Sequence, residues 1–350
     1  MKKNLVNVEF ETERLQKLNE VVLQDEFSTR IREVRNSNIT ITQKPQVGEF
    51  TFPNSIVENP ILKTFEDIGK YRLDAKVGED FSKQVAFAGY DESKYKFLAL
   101  EGEAHATCHS LTYYVNNEFA PVSKITFYFY TKSKRLQKDS KYIKYTDDQA
   151  SEANRDYAID RNSLIMEYAL NSSILFIDGP MIGGNITSYS LDLINYLHEH
   201  NIIPIFFVKN SESNMIVENI PSIKYEFNSD LHWAYSILDK GSRSSLFLYT
   251  DSYNNENSKL FCYFKTYASI TPQRIEFHPK TYELYSEYFP KLFDLIYYLM
   301  LVHGDTSNPQ IRPIAISEMY AREVIRTLNI ELLLKNSSLT KTMDQSRFGG

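Results

Sequence analysis

Residues 173–184 read SILFIDGPMIGG, and this stretch decides the fold. Four apolar residues, Ile174 to Ile177, run into a carboxylate, Asp178, and then into Gly179, Pro180 and further glycines. A short apolar run bounded by turn residues predicts a strand buried on both faces. Asp178 then stands at the C-terminal tip of that strand, the edge where open α/β sheets keep their ligand sites. A carboxylate is costly to desolvate there unless it is paired or binds a cation. The pattern points to a metal-dependent enzyme.

Working outward, residues 188–200 place Leu191, Ile194 and Leu197 on one helical face, and 202–208 (IIPIFFV) form another buried strand. Strand, helix, strand in this order predicts a right-handed βαβ unit with Asp178 at its mouth. Residues 150–171 read as the helix before it. Further upstream, QVAFAGYDESKY (84–95) reads as strand, carboxylate, turn, so Asp91 follows a strand that ends near Tyr90. Residues 97–115 and 124–130 add strands, which suggests an antiparallel meander. Downstream, a short helix is expected at 230–238 and strands at 246–249, 260–267 and 274–278. Long helices are expected at 282–301 and 313–334. Residues 10–35 have helical apolar spacing, read as a packing or dimerisation helix. The boundaries predicted are an N-terminal helical and irregular extension (1–78), an α/β domain (79–334) and a flexible tail (335–350).

The 350 residues are 42% hydrophobic and 14% aromatic, enough for a sizeable core and against disorder over most of the length. Two cysteines, Cys108 and Cys262, give neither a disulfide framework nor a zinc quartet and fit a reducing cytoplasm. The N-terminus lacks the apolar core of a secretory signal, and no apolar run approaches a membrane span. A net charge of −6 argues against non-specific coating of DNA but leaves local phosphate contacts open.

Asp91, Glu167 and Asp178 are the acidic residues singled out by position. Carboxylates at the ends of adjacent strands can converge on Mg²⁺ or Mn²⁺, which prefer oxygen ligands. Two such ions can activate water and stabilise the leaving oxygen of a phosphodiester. An Asp after a strand is also a common turn former or helix cap, and a helical Glu is commonly a solvated residue.

The order of elements and several strings resemble the NurA family of DNA-end-processing nucleases. The family's Asp-Gly-Ser turn is similar to Asp91-Glu92-Ser93, with Glu92 where glycine is usual. Its second Asp, followed by Gly-Ser-Leu, is similar to Asp178-Gly179-Pro180-Met181. An Arg and a Glu on the preceding helix resemble Arg161 and Glu167, and a strand-end lysine resembles Lys209. A Gly-x-Arg-Ser-x-x-Phe string is similar to residues 241–247, which include Arg243, and an Arg-x-Glu string to Arg274-Ile275-Glu276. The resemblance covers roughly residues 80–330. One departure stands out: Glu318 occupies the place of the histidine that closes the family's site. A glutamate binds a hard cation, but it cannot act as a cationic acid near neutral pH.

The resemblance implies an RNase H-like mixed sheet flanked by helices. It implies a metal-dependent DNA nuclease that acts as a homodimer with a HerA-type hexameric ATPase, in repair or in defence against phage. Asp91, Glu167, Asp178 and Glu318 would hold Mn²⁺ or Mg²⁺, and Lys209 would hold a phosphate or orient the nucleophile. DNA contacts are expected from Arg161, Arg243 and the basic stretch that includes Lys132, Lys134, Arg135 and Lys138, interleaved with tyrosines. The departures at Glu92, Pro180 and Glu318 keep a second reading open, a catalytically weak adaptor of the ATPase. A phosphoesterase acting on small substrates is a third.

Overall fold

A computed structural model of the chain describes residues 61–332, except 116–117, 135–142, 210, 252–253, 255–256, 307–309 and 330–331. All of these lie in one compact unit, Pro45–Gly350. The expected N-terminal helix (10–35), the tail beyond 335, Arg135 and Lys138 fall outside the described residues.

The centre of the fold is β7 (Ser173–Asp178), buried along its apolar run as its sequence requires. It pairs in parallel with β8 (Ile203–Val208) on one side and β3 (Ala86–Ala99) on the other. The helix α3 (Thr187–Glu199) links β7 to β8, and α2 (Gln149–Tyr168) precedes β7. β3 continues antiparallel into β4 (Gly102–Val115) and then β5 (Glu118–Thr131), which pairs with the short β6 (Ile143–Tyr145). The order β5–β4–β3–β7–β8 is the RNase H-like mixed sheet that the resemblance implies. Beyond β8 the sheet runs through β12 (Gln273–Phe277), β11 (Ser258–Lys265), β10 (Phe247–Thr250) and β1 (Leu62–Thr64). β2 (Lys70–Arg72) and β9 (Ser242–Ser244) pair beside it. Residues 62–78, read from the sequence as part of the extension, thus supply two strands and the start of α1 (Ala75–Ser82).

Two apolar layers sandwich the central strands. On one face Tyr90, Leu175 and Ile177 pack with Leu164 of α2 and Leu193 and Leu197 of α3. On the other, Phe87, Phe176 and Phe207 meet α6 (Phe289–His303) and Ile314 of α7 (Arg312–Leu328). α4 (Asp230–Ile237) covers β10 and β11 through Trp233. Burial of these side chains, at about 25 cal/mol per Å², is the main stabilising contribution.

Two expectations are corrected. The single helix expected at 282–301 is two, α5 (Pro279–Tyr285) and α6. Pro290 sits in the first turn of α6 and carries no N–H to continue a helix from upstream. The turn expected at Asp91-Glu92-Ser93 is continuous strand. β3 leaves its parallel partner after Tyr90, yet its antiparallel register with β4 runs on from Phe87↔Tyr114 to Ala99↔Gly102. Ladder hydrogen bonds to β4 hold the chain extended where local turn propensity would bend it.

Gly89 sets the distance between β3 and α7. A Cβ there would lie 2.2 Å from the carbonyl carbon of Pro313. Ser317 Oγ donates to the Gly89 carbonyl at 2.8 Å. Gly89→Ala is therefore expected to cost about 1–3 kcal/mol through overpacking, read as a lower urea midpoint, and to displace α7.

His198 on α3 is buried, and its Nε2 lies 2.9 Å from Thr281 Oγ1. Burial pushes its pKa down from 6.5 to about 4. His109, buried with Nδ1 2.7 Å from the Tyr90 hydroxyl, is likewise pushed down to about 4. Below pH 6.5 the unfolded chain takes up protons that the folded chain refuses until about pH 4. Stability is therefore full above that window and falls through it, by up to about 1.4 kcal/mol per pH unit for each histidine. Urea melts across the window check this. His198→Leu should flatten the slope.

Candidate active site

The register of β3 against β7 pairs Tyr90 with Ile177, so Asp91 and Asp178 are the next residues on neighbouring strands. Lys209, directly after β8, reaches back to both. Its Nζ lies 3.4 Å from Asp91 Oδ2, 3.1 Å from Asp178 Oδ1 and 3.7 Å from Glu318 Oε2. Glu318 arrives on α7, one residue after the Ser317 that clasps Gly89. Gln310 donates to Glu318 at 2.7 Å, and Arg322 pairs with it one turn on. Three carboxylates from two strands and a helix thus meet one ammonium at the C-terminal edge of the parallel strands.

The electrostatics follow from crowding. Burial first, and then the neighbouring Asp178, push the Asp91 carboxyl up to about 8, against the pull of Lys209. Burial also raises Asp178, again opposed by Lys209. For Glu318, burial is outweighed by Gln310, Lys209 and Arg322, which hold it below the usual carboxylate range. The same three carboxylates overcome the burial of Lys209 and raise its pKa. Two cations, Lys209 and the Arg322 that pairs with Glu318, face three carboxylates, and the rise of Asp91 marks where positive charge is short.

That shortfall fits a hard divalent cation. The donor set is all oxygen. Asp178 Oδ1 is buried and has the Lys209 ammonium, 3.1 Å away, beside it. Among the described residues no three acidic, histidine or cysteine side chains are grouped to hold an ion as they stand. Entry of an ion would require Lys209 to give up contacts it now makes.

Glu167 does not join this cluster. It is exposed in the last turn of α2, which leads into the start of β7, whereas Asp178 ends that strand. The six residues of β7 separate the two edges by roughly 17 Å. The part of α2 that faces the site is its middle. Asn154, Tyr157 and Arg161 line a cleft of 460 Å³ with Glu92, Lys94, Asp178 and the loop 179–186. The helix gives this cleft a cation, Arg161, and no carboxylate.

The other expected DNA contacts separate. Arg243 is buried against Glu66, its guanidinium 4.3 Å from each of the Tyr71 and Phe293 ring centroids. It fastens the segment before β2 to the sheet and presents no free face to a phosphate. Lys132 and Lys134 are exposed just beyond β5, level with the tip of the β3–β4 hairpin. Glu92 and Lys94 were not among the expected site residues. Reading β3 as continuous would have found them, since side-chain alternation puts both on the face opposite Asp91. Glu92 accepts from the Tyr157 hydroxyl at 2.8 Å and pairs with Lys94 at 3.0 Å.

A brace lies under the site. Glu276 on β12 is fully buried and takes Lys259 Nζ at 2.6 Å and Arg274 Nε at 2.8 Å. Its second oxygen accepts from the Met181 backbone N–H at 2.9 Å, in the loop after Asp178. Arg274 also donates to Ser211 and Ser213, in the loop after Lys209. The Arg-x-Glu string therefore ties down both loops that follow the site strands.

The NurA nuclease from Sulfolobus solfataricus superposes with a TM-score of 0.50 at 10% identity, over 94% of this chain and 99% of that one. Endonuclease V from Bacillus subtilis gives 0.37 at 10% identity, over 73% and 92%. The Argonaute of A. aeolicus gives 0.32 at 13%, over 79% of this chain and 31% of its own. No curated protein matches the sequence. The NurA domain family matches residues 92–320, more than half of the chain and the whole span from Glu92 past Glu318. The chain belongs to the NurA family.

Proposed function

We propose that this protein is a metal-dependent DNA nuclease. The observation that carries this reading is the convergence of Asp91, Asp178 and Glu318 on one point at the sheet edge. Those three residues would hold Mn²⁺ or Mg²⁺. When bound, such ions polarise a phosphodiester and lower the pKa of an attacking water. Lys209 balances the carboxylates in the absence of an ion and, once displaced from them, is placed to meet substrate phosphate. Glu318 supplies an oxygen donor at the position where the resemblance implies a histidine.

Partnership with a HerA-type hexameric ATPase, action on DNA ends as a homodimer, and a part in repair or anti-phage defence extend the proposal. They rest on family membership. The test is hydrolysis of linear DNA with Mn²⁺, with and without the ATPase. Metal-dependent cleavage supports the reading, and its absence in both conditions sinks it.

One observation favours a catalytically weak adaptor as the second reading. α2 brings Arg161 rather than a carboxylate to the cleft, and Lys209 occupies the centre of the acidic cluster. Dimerisation and ATPase binding without cleavage would select that reading.

Among the described residues no helix is long and apolar enough to cross a membrane.

A further inference from the structure

The cleft beside Asp178 contains a buried cation that pairs with no carboxylate among the described residues. Arg161 is 2% exposed. Its Nε donates to Asn162 Oδ1 at 3.1 Å and its Nη2 to Ser190 Oγ at 3.2 Å, both uncharged partners. Among the described residues no carboxylate stands within ion-pair distance of it. Arg243, by contrast, faces Glu66, and Arg274 and Lys259 face Glu276, while the buried Lys265 donates to the Tyr235 carbonyl at 2.7 Å. The acidic residues of the cleft are engaged elsewhere, Glu92 with Lys94 and Tyr157 and Asp178 with Lys209.

A buried guanidinium without a counter-charge is strongly unfavourable. An anion from outside would complete it. Arg161 opens on the cleft together with the exposed Lys94, whose Nζ lies 3.8 Å over the Tyr157 ring. Asn154 and Asn185 add amide groups to the same wall. The planar fork of a guanidinium matches two oxygens of a phosphate, and a point-charge lysine beside it adds attraction without demanding geometry.

We infer that Arg161, with Lys94, forms a phosphate-binding subsite that takes a phosphate of the substrate strand next to the one facing the carboxylates. This rests on the nuclease reading and adds to it the means by which the strand is held. The phosphate is either an internal diester or the terminal group of a strand end. The two share the same recognition chemistry.

The test is fluorescence anisotropy in EDTA, so that nothing is cut. Three short, internally labelled oligothymidylates serve as probes: linear with a 5′-phosphate, linear with a 5′-hydroxyl, and circular. Arg161→Gln should weaken binding of the phosphorylated strand by about tenfold or more, the loss typical of a charge-assisted buried hydrogen bond. Its salt-dependence slope should fall by about one. Weakening confined to the 5′-phosphorylated probe assigns a terminal phosphate. Equal weakening on all three, the circle included, assigns an internal diester. Arg161→Lys, which keeps the charge without the fork, should lose affinity with its salt slope unchanged, and it carries the comparison if the Gln variant does not fold.

The melting temperature gives an independent readout. Removing an unneutralised buried charge should leave Arg161→Gln at or above the wild type. Unchanged affinity and salt slope overturn the subsite, and a large drop in melting temperature with unchanged binding marks Arg161 as structural. A wild type that binds none of the probes overturns both this subsite and the nuclease reading. A wild type that binds them but is indifferent to Arg161 overturns the subsite alone.

Discussion

Asp178→Asn is expected to abolish Mn²⁺-dependent cleavage of linear DNA while leaving the protein folded. Groups one step removed from a metal already cost 10–100-fold when altered, so a direct oxygen donor should cost at least about a hundredfold. Asp178 sits at the centre of the cluster, on the strand tip that faces both Lys209 and the cleft. An amide keeps one neutral oxygen and loses the charge that a divalent ion needs. The fold should tolerate the change, because burial already disfavours the ionised form of Asp178. Its melting temperature should match or exceed the wild type. Glu167→Gln is the internal control and should cleave as the wild type does, since Glu167 is exposed at the opposite edge of the sheet. Cleavage that survives Asp178→Asn, or that fails in Glu167→Gln, would remove the chemistry from the site described.

Glu276→Gln should produce the largest loss of stability. Glu276 has no solvent exposure and neutralises two buried cations at 2.6 and 2.8 Å. Burial would raise its pKa, but Lys259 and Arg274 together hold it below the usual range. Removing one partner of a buried pair costs about 3–5 kcal/mol, because the remaining charge is left uncompensated. That is a large fraction of a total stability of about 5–15 kcal/mol. Urea unfolding measures it. The double variant Lys259→Met with Glu276→Gln should recover part of the loss, which a double-mutant cycle would register as coupling. Activity should fall as well, at temperatures where the variant is still folded, because the Met181 N–H loses its ionic acceptor and the loop after Asp178 loosens. A loss under about 1 kcal/mol, within the range of a neutral hydrogen bond, would show that the network is not held by charge.

Much of the sheet was legible because buried parallel strands write themselves as continuous apolar runs. Residues 174–177 and 202–208 are both of this kind, and both form strands where expected. The antiparallel arms were harder. Asp91, Glu92 and Ser93 carry turn propensity, and only the pairing with Ser110, His109 and Cys108 on β4 keeps them extended. The break between α5 and α6 was written in Pro290, but the apolar residues on either side masked it.

The site was legible in a different proportion. Asp178 was visible as a charge at the end of an apolar run. Asp91 stood out by its place after a strand, Lys209 and Glu318 through resemblance, and the fold brings all three within reach of one another. Glu167 lies away from the cluster because its place on the helix before β7, by position and by resemblance alike, does not fix which turn of that helix faces the strand ends. The helix advances about 1.5 Å per residue, so the six residues from Arg161 to Glu167 carry a side chain about 9 Å along the axis.

By itself the sequence determined which segments had to be buried, and hence that Asp178 would end a core strand, because apolar patterning acts through neighbours a few residues apart. Only the tertiary structure decided which charges share a space: Lys209 among three carboxylates, Arg243 against Glu66, and Arg161 beside a cleft with no described carboxylate paired to it. Coulomb energy depends on distance and local dielectric, and residues more than a hundred positions apart acquire both only when the sheet brings them together.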